Sequence, residues 1–386
     1  MMAKLGELGK IITGNTPKTS DAQNYESNDI CFVKPSDFTD NEITEIHQSE
    51  FYISAYAKDK ARVLPTDSIL VTCIGIIGKV AINKVPCAFN QQINAIVPEK
   101  KVCNPRYIAY AIQNLQPKMQ STANAAVVPI LNKTQFSNLE VPLLPVGEQK
   151  QIACNLNKID KLIFLRKQQL AKLDELVKAR FVEMFGDAKL NPYDFPCNSL
   201  SEYILFLTSG SRGWSQYFTD GGEYFITIKN VKNCRITLQD VQYVMPPDNA
   251  EAKRTKVQEN DLLISITADL GRTGVVPKEI AKHGAYINQH LICIRLNLEK
   301  VNPIYVAYYM ESAAGKEQFA SKNQSAVKAG LNFNSINSLK LVVPPLDLQN
   351  DFAAFVARVD QQKQTVQQSL EKLELMKKAL MQEYFG

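Results

Sequence analysis

The stretch that decides the fold is residues 147–186, whose sequence reads GEQKQIACNLNKIDKLIFLRKQQLAKLDELVKARFVEMFG. Apolar residues recur along it at alternating intervals of four and three, and no proline or glycine interrupts its interior. This spacing predicts one long helix with a narrow apolar seam, as in a coiled coil. At a rise of about 1.5 Å per residue, the helix would extend roughly 55–60 Å. A helix of that length needs a partner along its seam.

The partner stretch is residues 346–386, which repeat the same spacing. The last seventeen residues of the two stretches, Leu170–Gly186 and Leu370–Gly386, agree at eight positions without a gap. Further upstream, Gln149 and Asp160 fall at the positions of a second glutamine and a second aspartate, 200 residues later. Chance does not keep such an offset in phase over forty residues, so the sequence indicates an internal duplication.

The duplication predicts the fold class and the domain order. We expect an α+β protein with two globular domains that contain small mixed β-sheets, and two long helices that form an antiparallel coiled coil. Antiparallel pairing follows from the connectivity, because parallel helices would require the chain to travel back along the whole first helix. The predicted boundaries are a first domain at 1–146, a central helix at 147–186, a second domain at 187–346 and a C-terminal helix at 347–386.

The seam of the coiled coil is predicted from the same spacing. Its apolar members are Ile152, Leu156, Ile159, Ile163, Leu170, Leu173, Val177, Phe352, Val356, Val359, Val366, Leu370, Leu373 and Leu380. Four charged residues interrupt the seam and either extend their stems towards solvent or fix its register; they are Arg166, Arg180, Lys363 and Lys377. Leucines outside the seam, at Leu162, Leu165 and Leu176, leave open self-association of the isolated chain.

Composition sets outer limits on function. The chain has 45% hydrophobic and 22% charged residues, which is ordinary for a globular protein. Its eight cysteines are scattered without a CxxC pair, and no apolar run is long enough for a membrane span. These features predict a cytoplasmic protein with no membrane partner. The net charge of +5 is compatible with a nucleic-acid partner but does not demonstrate one.

The inventory of catalytic groups is sparse. His47, His283 and His290 lack metal-ligand spacing and an associated nucleophile, so we predict no metal site and no catalytic residue. Asn191-Pro192-Tyr193 is only a partial match to the motif of amino-methyltransferases, because the second proline is missing. We interpret this tripeptide as a turn.

The two globular domains repeat one plan with different side chains. Each has a loop of glycine and small polar residues, 14–20 in the first domain and 209–214 in the second, which is named the Gly-rich loop. A strand, a Gly-Lys or Gly-Arg pair, an Asn-Gln pair and a helix that begins at Asn-Pro follow in both domains. The Asn-Pro helices carry tyrosines at helical spacing, for which a core position is predicted: Tyr107, Tyr110, Tyr305 and Tyr308. If the helices do one task twice, their similarity follows, and if the domains read different targets, their divergence follows too.

A repeated domain on a repeated long helix resembles the specificity subunits of type I restriction–modification systems. The resemblance covers essentially the whole chain and is strongest at Leu139–Asp187 and Leu339–Gly386, where both helices end in Phe-Gly. It implies two target recognition domains, which bind double-stranded DNA, and helices that act as a ruler and dock two methyltransferase subunits. It also implies a restriction and translocase subunit. S-adenosylmethionine and ATP are then expected on those partner subunits only, with no cofactor on this chain.

Two unlike domains held apart by a rod would read an asymmetric target in two parts. Loops must then supply Arg or Lys for guanine and phosphate, and Asn or Gln for adenine. In the first domain the candidates for DNA contact are Lys18, Lys34, Ser36, Lys79 and Gln91. In the second domain they are Arg212, Trp214, Lys229, Arg272 and Gln289. Lys229 is expected to match Lys34, because each follows the corresponding strand of its domain.

Several of these candidates have a structural alternative. Gly78-Lys79 and Gly271-Arg272 also suit tight turns with solvated charges, and the Asn-Gln pairs also suit a role in tying strand backbones together. Trp214 lies in a Gly-Ser loop, where an exposed aromatic ring favours a functional role. Two further classes of protein also remain open. One is a coiled-coil adaptor with duplicated domains that bind protein or carbohydrate, and the other is a self-contained methyltransferase, which would bind S-adenosylmethionine by itself.

Overall fold

The computed structural model describes residues 1–40, 42–123, 128–322 and 330–386. The chain divides into two compact units. The first contains residues 1–169 and 366–386, and the second contains residues 170–365. Each unit therefore holds one globular domain together with a part of each long helix. Within the described residues, no helix is both long and apolar enough to cross a membrane.

Among its described residues, the first domain contains ten strands and four short α-helices. The strands are β1 (Met2–Lys4), β2 (Gly9–Thr13), β3 (Ile30–Val33), β4 (Ile43–Ile46), β5 (Tyr52–Ile53), β6 (Ile69–Thr72), β7 (Val80–Asn83), β8 (Cys87–Phe89), β9 (Ile93–Pro98) and β10 (Glu140–Pro142). The helices are α1 (Leu5–Leu8), α2 (Pro105–Asn114), α3 (Gln116–Thr122) and α4 (Lys133–Ser137).

The strands of the first domain form three small sheets. Their strand orders are β2-β9-β6-β7-β4, β5-β3-β8 and β1-β10. The β3–β8 and β4–β7 pairs are parallel and the others antiparallel, so the sheets are mixed as expected. Pairing of β1 with β10 ties the start of the chain to the strand that precedes the first long helix. Asn104 caps α2 by accepting from the backbone N–H of Tyr107.

The second domain repeats this plan with additional strands. After the first long helix, α5 (Val146–Phe185), the strands are β11 (Cys197–Ser199), β12 (Ile204–Ser209), β13 (Phe218–Thr219), β14 (Glu223–Ile226), β15 (Val231–Lys232), β16 (Cys234–Ile236), β17 (Gln242–Val244), β18 (Leu262–Ser265), β19 (Thr273–Val275), β20 (Ala285–Ile287), β21 (Leu291–Leu296) and β22 (Lys340–Val342). The helices are α6 (Ala250–Thr255), α7 (Lys278–His283), α8 (Pro303–Glu311), α9 (Ala313–Ser321) and α10 (Phe333–Asn337). The last helix of the chain is α11 (Leu346–Phe385).

The sheets of the second domain are also mixed. Their strand orders are β12-β21-β18-β19-β16-β15, β13-β17-β14-β20 and β11-β22. The β14–β20 and β16–β19 pairs are parallel. As in the first domain, the strand after the domain's entry, β11, pairs with the strand before a long helix, β22. The α+β fold class with two domains and small mixed sheets is confirmed.

The two long helices, α5 and α11, have 40 residues each and lie within one residue of the predicted ranges. Gln149 and Gln349, the matching glutamines of the duplication, are fully buried near their N-terminal ends. Gln149 accepts from the backbone N–H of Asn104 at 2.8 Å, and Gln349 accepts from that of Asn302 at 2.9 Å. Each glutamine thereby joins a long helix to the cap of the Asn-Pro helix in its own domain. This shared contact explains why the duplication retains a glutamine there.

Glycine ends α5, as the Phe-Gly repeat indicates. Gly186 has φ of +72°, in the left-handed region, and its N–H donates to the carbonyl of Val182 at 2.8 Å. A Cβ on this residue would lie 2.3 Å from Pro192. Both the backbone angle and the space therefore require glycine.

In the first unit, the two long helices are antiparallel. Arg166 donates to Ser369 at 3.3 Å, whereas Asp160, closer to the start of α5, forms an ion pair with Lys377 at 2.7 Å. The seam residues of this unit are buried or half-buried: Ile152, Leu156, Ile159, Ile163, Val366, Leu370, Leu373 and Leu380. Asp160 also accepts from the hydroxyl of Tyr110 at 2.6 Å, which fixes the first domain to both helices.

In the second unit, the helices are likewise antiparallel. Lys363 forms an ion pair with Asp174 at 2.6 Å, and the rings of Phe181 and Phe352 lie 5.4 Å apart. Its predicted seam residues are buried or half-buried: Leu170, Leu173, Val177, Phe352, Val356 and Val359. Arg235 of the second domain pairs with Asp360, which is the counterpart of Asp160 in the duplication. For the two seam lysines, the structure favours the register-fixing interpretation, because their ammonium groups bond across the helix pair.

We expect Lys377→Met to destabilise the first unit by about 1–3 kcal/mol, because it leaves the shielded Asp160 carboxylate with only the Tyr110 hydroxyl. Urea unfolding measures the change in the free energy of unfolding, and hydrogen exchange of the backbone amides shows whether the change lies in the first unit. The matched control is Lys378→Met at the exposed neighbouring position, for which we expect a change below about 0.5 kcal/mol. Equal effects of the two substitutions would contradict a role for the cross-helix pair.

Candidate nucleic-acid interfaces

The Asn-Gln pairs of the two domains form the same turn. Residues 90–92 join β8 to β9, and residues 288–290 join β20 to β21. In the first turn, the Asn90 side chain accepts from the backbone N–H of Gln92 at 3.1 Å. In the second, Asn288 accepts from that of His290 at 3.2 Å. The asparagines therefore stabilise the turns themselves, and each following glutamine remains outside that bond.

The Gly-rich loops lie directly against these turns. Gly14 donates to the carbonyl of Ile93 at 3.1 Å, and Gly210 donates to that of Leu291 at 3.0 Å. A Cβ on Gly14 would lie 2.0 Å from the Asn90 carbonyl oxygen, so only glycine permits this approach. The exposed Lys18 follows in the first loop, and the exposed Arg212 follows in the second. Each domain thus brings two predicted loops together.

A short 3-10 turn follows β3 and β14, and it corrects one predicted correspondence. Parallel pairing aligns Val33 with Phe89 in the first domain and Ile226 with Ile287 in the second. Counting onwards from these strand ends, Lys229 occupies the place of Ser36. The expected match of Lys229 with Lys34 is therefore wrong.

The side chains at this 3-10 turn differ in their solvent exposure and in their contacts with neighbouring residues. Ser36 is exposed and donates to Glu50 at 3.2 Å. Lys229 is also exposed. Lys34 is half-buried, and its ammonium lies 3.1 Å from the centre of the Phe51 ring. The second domain therefore presents a cation where the first presents a hydroxyl.

The Gly-Lys and Gly-Arg pairs form equivalent tight turns. Gly78 and Gly271 have φ of +90° and +77°, and both donate to the residue that ends the preceding strand. Lys79 forms an ion pair with Asp40 at 2.6 Å, and Arg272 pairs with Asp269. A DNA phosphate would have to compete with these carboxylates, so these cations are less available than those of the Gly-rich loops.

Trp214 is a core residue. Its side chain is 4% exposed and packs on Phe225 and Tyr286, with ring centres 5.4 and 5.0 Å apart. The expectation of an exposed aromatic ring in this loop is wrong, because the second-domain strands supply nonlocal partners that bury it. Trp214 instead supports the segment that carries Arg212. A cavity of about 230 Å³ lies beside it and is also lined by Gln242 and Gln289.

Two arginines that the sequence analysis did not select contact the Gly-rich loops. Arg62 donates to the carbonyl of Thr13, and Arg254 donates to that of Ser209 at 2.8 Å. Both carbonyls belong to the residue before the loop glycine, so the two domains use arginine for the same contact. Both arginines are exposed and add positive charge beside the loops. Comparing the sequences of the two domains could not identify these arginines, because they lie in segments where the domains share no motif.

Three ionisable groups of the first domain, Lys60, Cys73 and Cys87, have raised pKa values. A hydrogen bond to Asp21 raises the pKa of Lys60, which stays cationic beside the first loop. Burial raises the pKa of Cys73 to about 11 and that of Cys87 to about 12. These thiols are therefore protonated at neutral pH and behave as core residues. The described residues contain no cluster of three or more His, Cys, Asp or Glu that could hold a metal ion.

The tyrosines of the Asn-Pro helices lie in the domain cores, as predicted. Tyr107, Tyr110 and Tyr305 are almost fully buried, and Tyr308 is half-buried. Burial raises the pKa of Tyr107 to about 12, so its hydroxyl remains a hydrogen-bond donor. These tyrosines connect the domain to the long helices and are not part of the loop surface.

Comparison with known proteins gives a consistent result. The model of the family described as "Type I restriction modification DNA specificity domain" matches residues 1–175 and 217–375. The StySPI type I restriction enzyme specificity subunit of Salmonella potsdam is 22% identical over 384 residues, spanning 93% of this chain and 81% of the relative. The MjaIX specificity subunit of Methanocaldococcus jannaschii is 28% identical over 187 residues, 48% of this chain and 43% of the relative.

Solved structures share the fold. The S subunit of a type I restriction–modification system from M. genitalium aligns with a TM-score of 0.61 at 14% identity, covering 100% of this chain and 96% of that one. A chain from a second structure of a type I system aligns with a TM-score of 0.59 at 15% identity, covering 100% and 97%.

Proposed function

Because the chain belongs to the type I restriction–modification DNA specificity family, we propose that it selects the DNA sequence on which a type I complex acts. Each globular domain reads one half of a two-part target. The observation that carries this proposal is the pair of equivalent loop surfaces with different side chains. Lys229 of the second domain stands at the place of Ser36 in the first, and the Gly-rich loops carry Arg212 and Lys18 at different positions. Unlike surfaces at equivalent places suit unlike half-sites, so the target is asymmetric.

The chemistry belongs to partner subunits in this proposal. Two methyltransferase subunits bring S-adenosylmethionine, and a restriction and translocase subunit brings ATP. This chain determines which DNA sequence the complex recognises, and it acts in the cytoplasm. Exposed cations at the loops contact phosphates or guanine, and the glutamines contact base edges. The adaptor alternative is not favoured by the family to which the chain belongs.

A methylome comparison tests the proposal first. DNA from the source cell, sequenced with and without this gene, is expected to differ by loss of methylation at one two-part motif. Footprinting of the purified complex with its methyltransferase subunits is then expected to protect both halves of that motif. Indifference of this complex to DNA sequence would contradict the proposal.

The assignment of loops to half-sites is tested by charge reversal. We expect Arg212→Glu with Lys229→Glu to weaken binding by about 10- to 100-fold, with loss of protection at one half-site only. The matched control is Lys300→Glu, an exposed lysine after the far end of β21, for which we expect little change. Loss of protection at both halves, or an equal effect of the control, would count against separate reading by the two domains.

A further inference from the structure

Equivalent turns of the two domains hold a glutamine in the same place but fix its side chain in opposite senses. In the first domain, the Thr16 hydroxyl donates to Oε1 of Gln91 at 2.7 Å. In the second, Nε2 of Gln289 lies 3.1 Å from Nε2 of His290. The amide oxygen is therefore occupied in one turn, and the amide nitrogen is occupied in the other.

In the second turn the amide nitrogen of Gln289 faces the His290 ring, and this orientation sets the direction of the contact. An amide nitrogen has no lone pair available to accept a hydrogen bond, so Gln289 donates and the ring nitrogen of His290 accepts. The other ring nitrogen, Nδ1, then carries the proton and donates to Oγ1 of Thr267 at 2.8 Å. This chain of bonds leaves Oε1 of Gln289, with one remaining N–H, for an external partner.

The first turn presents the opposite group. With Oε1 held by the Thr16 hydroxyl, the free end of Gln91 is an NH2 group with two donors. Thr16 and Gln91 are both exposed, so a ligand can reach this group. No histidine stands at the following position, because Gln92 replaces it and bonds to Asn90 at 2.8 Å. The difference between the turns therefore comes from the side chains that orient each glutamine, Thr16 in the first domain and His290 in the second.

We infer that Gln91 donates to an acceptor edge of a base, guanine O6/N7 or thymine O4, and that Gln289 accepts from an exocyclic amino group, adenine N6 or cytosine N4. These are the major-groove patterns that distinguish the bases. Thr16 and His290 are positioning residues, which set the orientation of each amide. The inference rests on the proposed function. It specifies, for one glutamine in each domain, whether the side chain donates or accepts the hydrogen bond to the base.

Isosteric glutamate substitutions test the two senses. In Gln91→Glu, an oxygen replaces the outward NH2 and faces an acceptor edge, so binding to the two-part target is expected to fall by about 10- to 100-fold. In Gln289→Glu, the outward acceptor is kept. The imidazole can turn its proton to the new oxygen because the Thr267 hydroxyl can donate in return. Binding of this variant is expected to fall by less than about 3-fold.

The measurement uses the full chain with its methyltransferase subunits and duplex probes that carry the motif defined by the methylome. Both glutamates add the same negative charge, so each is the control for the other. Gln91→Met and Gln289→Met each remove the amide oxygen and the amide NH2 group. The two methionine variants are expected to weaken DNA binding to a similar extent as each other. Base-analogue duplexes, with 7-deazaguanine in one half or purine without the N6 amino group in the other, identify the affected position.

The outcomes separate this inference from the proposed function. Equal losses for the two glutamate variants, tolerance of glutamate only at Gln91, or no effect of either methionine variant would overturn the inference while sequence-specific binding persists. Absence of specific binding by the unsubstituted complex would instead overturn the proposed function, and the inference with it. Both results are read in the same assay.

The positioning role of Thr16 has its own readout. In Thr16→Val, the Gln91 amide is free to turn over, so it can present either group. Discrimination between bases at one position of the first half-site is expected to fall by about 10-fold, with the rest of the base preference unchanged. Thr16→Ser keeps the hydroxyl and is expected to restore discrimination. A uniform loss of binding across all probes would indicate a purely structural role.

Discussion

Replacement of Phe385 by alanine is expected to destabilise the first unit by about 3–5 kcal/mol, although this residue is next to last in the sequence. Its side chain is 8% exposed and belongs to the core that contains Ile152 and Leu156. The ring centre lies 5.1 Å from that of Tyr107, and the Phe385 carbonyl accepts from Asn114 at 3.1 Å. The alanine variant therefore opens a cavity in the first domain.

Amide exchange under native conditions measures this effect by region. Protection is expected to fall in α2, which contacts Phe385, and in β10, which belongs to the same core, and to fall less in the second unit. The matched control is Leu375→Ala on the same helix, whose side chain is 67% exposed and for which we expect a change below about 0.5 kcal/mol. Equal destabilisation by the two variants would show that the last turn of α11 is not part of the first core.

The long helices were predictable because their evidence is periodic and duplicated. The aromatic ends of these helices were not. A strict four-and-three count leads to Met184, whereas Phe181 and Phe185 are the buried residues. A straight helix has 3.6 residues per turn and drifts from a 3.5-residue seam, so its last turns present a different face. In the second unit that face meets Tyr305, at 4.7 Å between ring centres with Phe185. The repeated Phe-Gly ending was the available signal.

The loop surfaces were predictable in plan and less so in detail. The Asn-Gln turn could be located because short polar pairs between apolar runs mark turns. Its neighbour Ser36 could not be matched with Lys229 from the letters alone, since the correspondence depends on parallel strand pairing between distant segments. Trp214 was misjudged for a related reason. The flanking Gly and Ser indicate a loop, but burial depends on Phe225 and Tyr286, which come from other parts of the chain.

Loss of one buried ion pair is expected to disable the second domain alone. Asp261 is fully buried, and both its oxygens accept from Arg295, at 2.9 Å each. It also accepts from the backbone N–H of Gln258 at 2.7 Å. Arg295→Met leaves this carboxylate without a counter-charge in the core, which costs about 3 kcal/mol or more. Arg295 lies on β21, the strand that follows the Asn288 turn, so the loop surface should lose order with the strand.

The expected result for Arg295→Met is therefore both structural and functional: lower stability of the second unit, and loss of footprint at one half-site while the other remains protected. Asp261→Asn with Arg295→Met removes the unpaired charge, and we expect this double variant to recover more than half of the stability. Lys253→Met breaks an exposed ion pair with Asp248, 2.9 Å long, and should change stability by less than about 1 kcal/mol. If the double variant is no more stable than Arg295→Met, the lost packing of the arginine stem, and not the buried charge, is the cause.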